Sequence, residues 1–253
     1  MFKNAIVRKP SKSMVKGLTS ANLGVPDYNK AVKQHEAYVI ALLQCGLDIT
    51  ILDADENFPD SCFVEDVALC TPHCAIITSP GAESRRGEIH EMHEVLKEFY
   101  KNIEIIQEPG NIEAGDIMMV ENHYYIGLSA RTNQHGAEQM IAILEKFGMT
   151  ASIVPLEEVL HLKTGLAYLE NNHLVISGEF LQNAEFNKFT KIEINAEDAY
   201  SANCIWVNDT VIIPAGYPRT KKIIVEAGYS VKELEMSEFQ KLDGGLSCLS
   251  IRF

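Results

Sequence analysis

No stretch of this 253-residue chain approaches the roughly 20 consecutive apolar residues of a membrane-spanning helix. Residues 1–10 contain no long apolar run and no secretory cleavage pattern. Positive charge is scarce: 22 Lys and Arg stand against 35 Asp and Glu, a net charge of −13. That balance argues against nucleic acid and anionic membrane as partners, and it mildly favours cationic ligands. The six cysteines (Cys45, Cys62, Cys70, Cys74, Cys204 and Cys248) show no dense disulfide spacing. Free thiols in a reducing cytoplasm are therefore expected. Cys70-Thr-Pro-His-Cys74 is the nearest approach to a metal clip, yet no second ligand pair follows at finger spacing. No linker or low-complexity segment divides the chain, so one domain over residues 1–253 is expected.

What the chain has is a weak internal repeat. Residues 67–81, 117–129, 166–178 and 204–216 each read as an apolar run, a polar turn, and a β-branched or aromatic run closed near a Gly. A fifth copy is split across the termini, with residues 246–253 as one strand and 5–8 as the other. Apolar residues at helical spacing follow several hairpins, over 29–44, 91–100 and 134–147, with Gly46 and Gly148 as stops. Short strands are expected next, at 48–52, 103–106, 152–154 and 230–234. The unit is hairpin, helix, strand. Five such units closing on themselves would leave no unpaired sheet edge. The expected fold is thus α/β, a closed five-bladed propeller with pseudo-fivefold repeats.

The repeat bears on chemistry. Asp66 precedes the first hairpin, Glu113 and Asp116 the second, His161 and Thr164 the third, and Cys248 lies at the start of the last. Repeats put equivalent positions at equivalent places, so these residues are expected to converge near one end of the central axis. A cysteine, a histidine and an acid, distant in sequence and adjacent in space, form the general signature of thiolate catalysis. Taken singly, each residue has a plainer reading. A cysteine is more often a small buried hydrophobe. Asp66 reads as a turn cap, Arg85 beside Arg86 as a solvated pair, and Arg131-Thr-Asn133 as a helix cap.

Six segments then match a known pattern. They are Phe63-Val-Glu65-Asp66, Pro80-Gly-Ala-Glu-Ser-Arg85-Arg86, Glu113-Ala-Gly-Asp116, Gly127-Leu-Ser-Ala-Arg131-Thr-Asn133, His161-Leu-Lys-Thr-Gly165 and Asp243-Gly-Gly-Leu-Ser-Cys248. Together, in order and across the whole chain, they resemble the dimethylarginine dimethylaminohydrolase family of the guanidine-modifying (pentein) superfamily. The animal enzymes carry Asp where this chain has Glu113, which keeps the carboxylate. The resemblance implies a five-bladed α/β propeller and a small-molecule substrate, an arginine methylated on its guanidinium. It implies Cys248 as nucleophile, His161 as acid and then base, and Glu113 as a catalytic carboxylate. Asp66 and Glu113 would hold the planar cation, and Glu65 would bind ligand or order the site. Arg85 and Arg131 would take the α-carboxylate. Asp60, with the Leu18 and Leu242 carbonyls, would take the α-amino group, Leu18 lying on a lid. Asp116 would be structural, bonding backbone near Glu113. Citrulline and an alkylamine would be the products, with no metal or organic cofactor, from a monomer or homodimer.

Four rivals follow. An arginine deiminase would use the same residues on unmethylated arginine. An amidinotransferase would need a second amine site, which nothing suggests. A propeller used only for binding would have no need of Cys248 or His161. Zinc on Cys248 and His161 would have two ligands, too few for a structural site.

Overall fold

The computed structural model describes residues 1–253. It holds fifteen strands in five three-stranded sheets of one design. In each sheet an antiparallel hairpin is followed by a third strand, which pairs parallel to the hairpin's second strand. The first sheet joins β1 (Asn4–Arg8) to β2 (Asp48–Leu52) and to the C-terminal β15 (Ile251–Arg252). The next three are β3–β5 (68–70, 75–77, 103–105), β6–β8 (117–120, 123–128, 150–155) and β9–β11 (166–168, 173–176, 190–193). The last is β12–β14 (205–207, 210–214, 230–234). The split copy is therefore real: Ala5 and Ile6 pair with Arg252 and Ile251. Its C-terminal strand is shorter than expected, because residues 247–249 form a 3₁₀ turn.

The middle strands explain the unbroken apolar runs. Side chains alternate across a strand, and each middle strand has apolar neighbours on both faces. Ile76 packs with Ile117 and Tyr124, whereas Ala75 and Ile77 pack with Ile6 and Val67. Tyr125 joins Leu174 and Ile176, and Val175 joins Val211 and Ile213. Ile212 joins Ala5 and Val7. Every sheet thus shares one apolar cluster with the sheet before it and another with the sheet after it, the fifth with the first.

Helices cover the outside. The first, α1 (Tyr28–Gln44), is capped by Asp27, whose carboxylate accepts the Lys30 N–H. Its Tyr38 is fully buried and donates to the Leu246 carbonyl at 2.9 Å. Two further helices, α2 (Ile89–Leu96) and α3 (Gln134–Lys146), lie where their periodicity puts them, and Asn133 caps α3. The fourth unit departs from hairpin, helix, strand. Between β10 and β11 the chain makes only 3₁₀ turns, at 178–182 and 184–186. Gly178 has a positive φ, Asn183 turns the chain by accepting the Glu185 N–H, and the phenylalanines lack a helical stripe. No helix is long and apolar enough to cross a membrane.

A short helical turn immediately precedes the inner strand of each of four sheets: 64–67, 114–116, 162–165 (α4) and 247–249. In the remaining sheet a longer turn, 196–202, lies just ahead of β12. These turns carry or adjoin the residues singled out above.

Candidate active site

A cleft of about 240 Å³ is lined by Asp60, Asp66, Arg85, Arg131, His161 and Cys248, with Leu18 and Leu242 at its edge. Their equivalent places in the internal repeat anticipate this convergence. Glu113 lies immediately behind, fully buried, and its Oε2 is 2.8 Å from His161 Nε2. Burial alone would lower the histidine pKa. The surrounding Asp66, Glu113 and Asp116 carboxylates outweigh it and hold His161 up at about 9. At pH 7 the ring is an imidazolium facing the cleft.

Cys248 is half-buried in the 247–249 turn. Gly244 and Gly245 precede it; a side chain at Gly244 would meet the Phe63 ring, and one at Gly245 the Asn203 amide. Asn203 Oδ1 also accepts the Ser247 N–H at 3.0 Å. The only help for the sulfur is a long 3.4 Å contact from the Gly245 N–H and a 3.9 Å approach of the Ser247 hydroxyl. Burial first, then the Glu65 and Asp66 charges, push the thiol up to about 12.

Asp66 is the hub of the cation-facing wall. Its Oδ1 accepts the Gly115 N–H at 3.0 Å, and Oδ2 accepts Arg85 at 2.5 Å. Burial would raise this carboxyl, but His161, Arg85 and the Gly115 N–H hold it below the usual range. Gly115 is needed for the approach: a Cβ there would sit 2.7 Å from Asp66 Oδ1 and 2.8 Å from His161 Nδ1. Gly115→Ala should therefore lower kcat/KM by about 100-fold, the scale of an ångström-sized displacement of reacting groups. Steady-state kinetics beside a circular-dichroism melt would show the loss without unfolding.

Two residues sit differently from the expectation. Glu65 lines a separate axial cavity, bounded by the inner strands of all five sheets, rather than the Cys248 cleft. Its Oε1 holds Lys163 at 2.6 Å, and Oε2 has no partner. Adjacent residues of a tight turn point apart, so Asp66 faces one cavity and Glu65 the other. Arg85 is more enclosed than a surface pair. It reaches Glu88 through Nε and Nη2, Asp66 through Nη1 and the Phe63 carbonyl through Nη2. Most of its donors are committed inward. Arg131, one-fifth exposed, has only a 3.4 Å contact with Glu113 Oε1.

The loop after the first 3₁₀ turn is tied across the cleft mouth. The Leu18 N–H donates to Asp60 Oδ1 at 3.0 Å, the Thr19 hydroxyl to the Lys241 carbonyl, and Ser20 to Asp243. Neither the Leu18 nor the Leu242 carbonyl accepts a hydrogen bond. Glu88, Lys163, Asn203 and Asp243 went unnoticed in the sequence as supports. Asn203 is marked by its position just ahead of the fourth hairpin, and Lys163 and Asp243 lie in the matched segments, which leaves Glu88 without a signal.

Asp66, Glu113 and His161 bring one ligand-type atom each within 4.8 Å of one another. These atoms already serve Arg85, the Gly115 N–H and each other. A metal would have to displace those partners, and no step is assigned to one.

Fold and cleft together define an α/β repeat protein with a cysteine, a histidine–glutamate pair and a cation-facing aspartate in one site. The family model described as N,N dimethylarginine dimethylhydrolase, eukaryotic, matches residues 26–198. The N(G),N(G)-dimethylarginine dimethylaminohydrolase of Pseudomonas aeruginosa is 60% identical, covering 100% of both chains. Two solved structures superpose with TM-scores of 0.99 at 60% identity over 100% of both chains. One is a dimethylarginine dimethylaminohydrolase adduct with S-methyl-L-thiocitrulline, carrying a histidine-to-glycine replacement. The other is a cysteine-to-serine mutant from Pseudomonas aeruginosa complexed with citrulline. The N-terminal domain of ArgZ, an arginine dihydrolase, shares the fold with a TM-score of 0.90 at 18% identity, covering 100% of this chain and 97% of that one. The chain belongs to the dimethylarginine dimethylaminohydrolase family.

Proposed function

We propose that the protein hydrolyses N-omega-methylated arginines to citrulline and dimethylamine or methylamine through a covalent adduct on Cys248. The observation that carries this is the His161–Glu113 pair set beside Asp66 in the Cys248 cleft, in a chain 60% identical to a named dimethylarginine dimethylaminohydrolase.

A guanidinium is planar, delocalised and a poor electrophile. Asp66 and Glu113 hold it flat. Its charge cancels those that keep Cys248 neutral, so the thiol loses its proton to solvent on binding. The thiolate adds to the guanidinium carbon and the C–S bond forms. The C–N bond to the alkylamine then breaks as the His161 imidazolium supplies the departing proton. A thiouronium remains. Water attacks it, giving a proton to the now neutral His161. The C–S bond then breaks, the hydroxyl proton of the adduct passes to the departing sulfur to regenerate the Cys248 thiol, and citrulline leaves. Glu113 holds His161 in place throughout. Arg131, with Arg85, reads the α-carboxylate; Asp60 and the unused Leu18 and Leu242 carbonyls take the α-amino group. Glu65, held by Lys163 in the neighbouring cavity, adds to the charge that keeps Cys248 neutral in the free enzyme.

The five sheets and their cyclic apolar clusters support a closed five-bladed propeller, one catalytic domain over residues 1–253. All six cysteines are free, which suits a cytoplasmic setting; we read the protein as a monomer or homodimer. Citrulline release from asymmetric dimethylarginine, monomethylarginine and arginine, measured in parallel, tests the substrate class. Equal or better kcat/KM for arginine would move the reading to an arginine deiminase and leave the thiolate chemistry standing.

The resting thiol supplies a second test. With Cys248 pushed up to about 12, the free enzyme should hold a neutral thiol at pH 7. Thiolate ultraviolet absorbance, as wild type minus Cys248→Ser, should stay flat through neutrality and rise only in alkali. A dead-end guanidinium ligand should move that rise to lower pH. A free-enzyme thiolate below pH 7 would refute the scheme.

A further inference from the structure

Asp116 is fully buried and lies outside the cleft lining. Its Oδ1 accepts the Leu162 N–H at 3.0 Å, next to His161 in the chain. Its Oδ2 accepts the Ser129 and Thr132 hydroxyls, each at 2.6 Å. Ser129 Oγ in turn accepts the N–H groups of Arg131 at 3.0 Å and Thr132 at 3.2 Å. Thr132 Oγ1 accepts the Glu113 N–H at 3.2 Å. One carboxylate thus fastens three segments: the turn that starts at His161, the turn that carries Arg131, and the backbone of Glu113.

We infer that Asp116 is a positioning residue that fixes the proton donor His161 at a set distance from the carboxylate-reading Arg131. The two then address opposite ends of one substrate. The inference rests on the roles proposed above for those residues. The pattern requires an acceptor at both oxygens. A hydroxyl has one hydrogen and two lone pairs. Both lone pairs of Ser129 Oγ are taken by backbone N–H groups, so its hydrogen must find an acceptor, and Asp116 is that acceptor. Asparagine would set its NH₂ against either Ser129 or the Leu162 N–H. Asp66, Glu113 and Asp116 are the carboxylates facing His161, with Arg85 and Arg131 the cations of the same cluster.

The link can be cut on one side only. Ser129→Ala removes the bonded path from Asp116 to the Arg131 N–H and leaves the Thr132 and Leu162 bonds. Ser129 is half-buried, so the variant should fold. It should raise KM for asymmetric dimethylarginine about tenfold and leave kcat within about threefold, as expected for lost ground-state binding. The decarboxylated counterpart, dimethylagmatine, should be unaffected. Asp116→Asn should lower kcat for both substrates by at least about tenfold, because His161 also shifts. Arg131→Ala serves as the control and should lose the preference for the carboxylate-bearing substrate. If it does and Ser129→Ala keeps the wild-type ratio of kcat/KM for the two substrates, the inference is overturned alone. If Arg131→Ala also keeps that ratio, the Arg131 reading and the inference fall together. A lowered melting temperature with unchanged kinetics in both Asp116 and Ser129 variants would likewise overturn it.

Discussion

Cys248→Ser should abolish citrulline production, by about 10⁴-fold or more, while the protein stays folded. The loss has two sources. An alcohol has far lower nucleophilicity than a thiolate at neutral pH. His161 cannot serve as its base either: it is held up at about 9 and is already protonated at pH 7. The structural cost should be small. Oxygen for sulfur changes little volume, and the sulfur takes only a 3.4 Å contact from the Gly245 N–H and a 3.9 Å approach of the Ser247 hydroxyl. The surrounding turn is held by other groups, the Asn203–Ser247 bond and Tyr38 at the Leu246 carbonyl. The variant should therefore melt close to wild type and still bind substrate, detectable by calorimetry. Normal citrulline production by this variant would sink the nucleophile assignment, whatever became of the substrate class.

Much of this arrangement is legible in the sequence because two signals coincide. The hairpins show as short apolar runs around polar turns, and their recurrence puts Asp66, Glu113, His161 and Cys248 at related places. What does not show follows from pairing in space. Lys163 meets Glu65 across 98 residues, and Asn203 meets Ser247 across 44. No local pattern marks such pairs. The direction of a side chain is equally hidden: Glu65 and Asp66 are neighbours in sequence and line different cavities. Arg85 illustrates a third gap. Its Glu88 partner lies three residues on, yet the sequence alone cannot say that both are buried. Secondary structure fails to show where local composition is ambiguous. Helix α5 (Pro218–Glu226) is largely charged outside, with Thr220 and Ile224 its only buried residues, so its stripe is too thin to read. Strand β11 follows 3₁₀ turns rather than a helix and lacks the usual approach.

The second large effect concerns the proton. His161→Gly should leave Cys248 able to attack but remove the group that protonates the leaving amine and later activates water. With S-methyl-L-thiocitrulline, whose sulfur leaving group departs without an acid, the covalent adduct should form and then accumulate rather than turn over. Intact-mass spectrometry after a rapid acid quench should show the glycine variant's mass plus the thiouronium fragment, with citrulline formation down by roughly 10²–10⁴-fold, the usual yield of positioned acid–base catalysis. The pH dependence follows from the same geometry. The folded-state pKa of His161 is raised above its ordinary value, so the imidazolium is intact at pH 7 and is lost as pH rises through about 9. Wild-type kcat/KM, which reports the free enzyme, should fall on that alkaline side, and the stabilisation that the charged ring draws from Asp66 and Glu113 should fade in the same window. The glycine variant should lack this limb in its residual rate. Added imidazole should restore part of the turnover if it can enter the space left beside Glu113 Oε2, which the native ring occupies at 2.8 Å. A glycine variant that turns over normally, or a wild-type rate that is still climbing well above pH 9, would remove His161 from the role of acid.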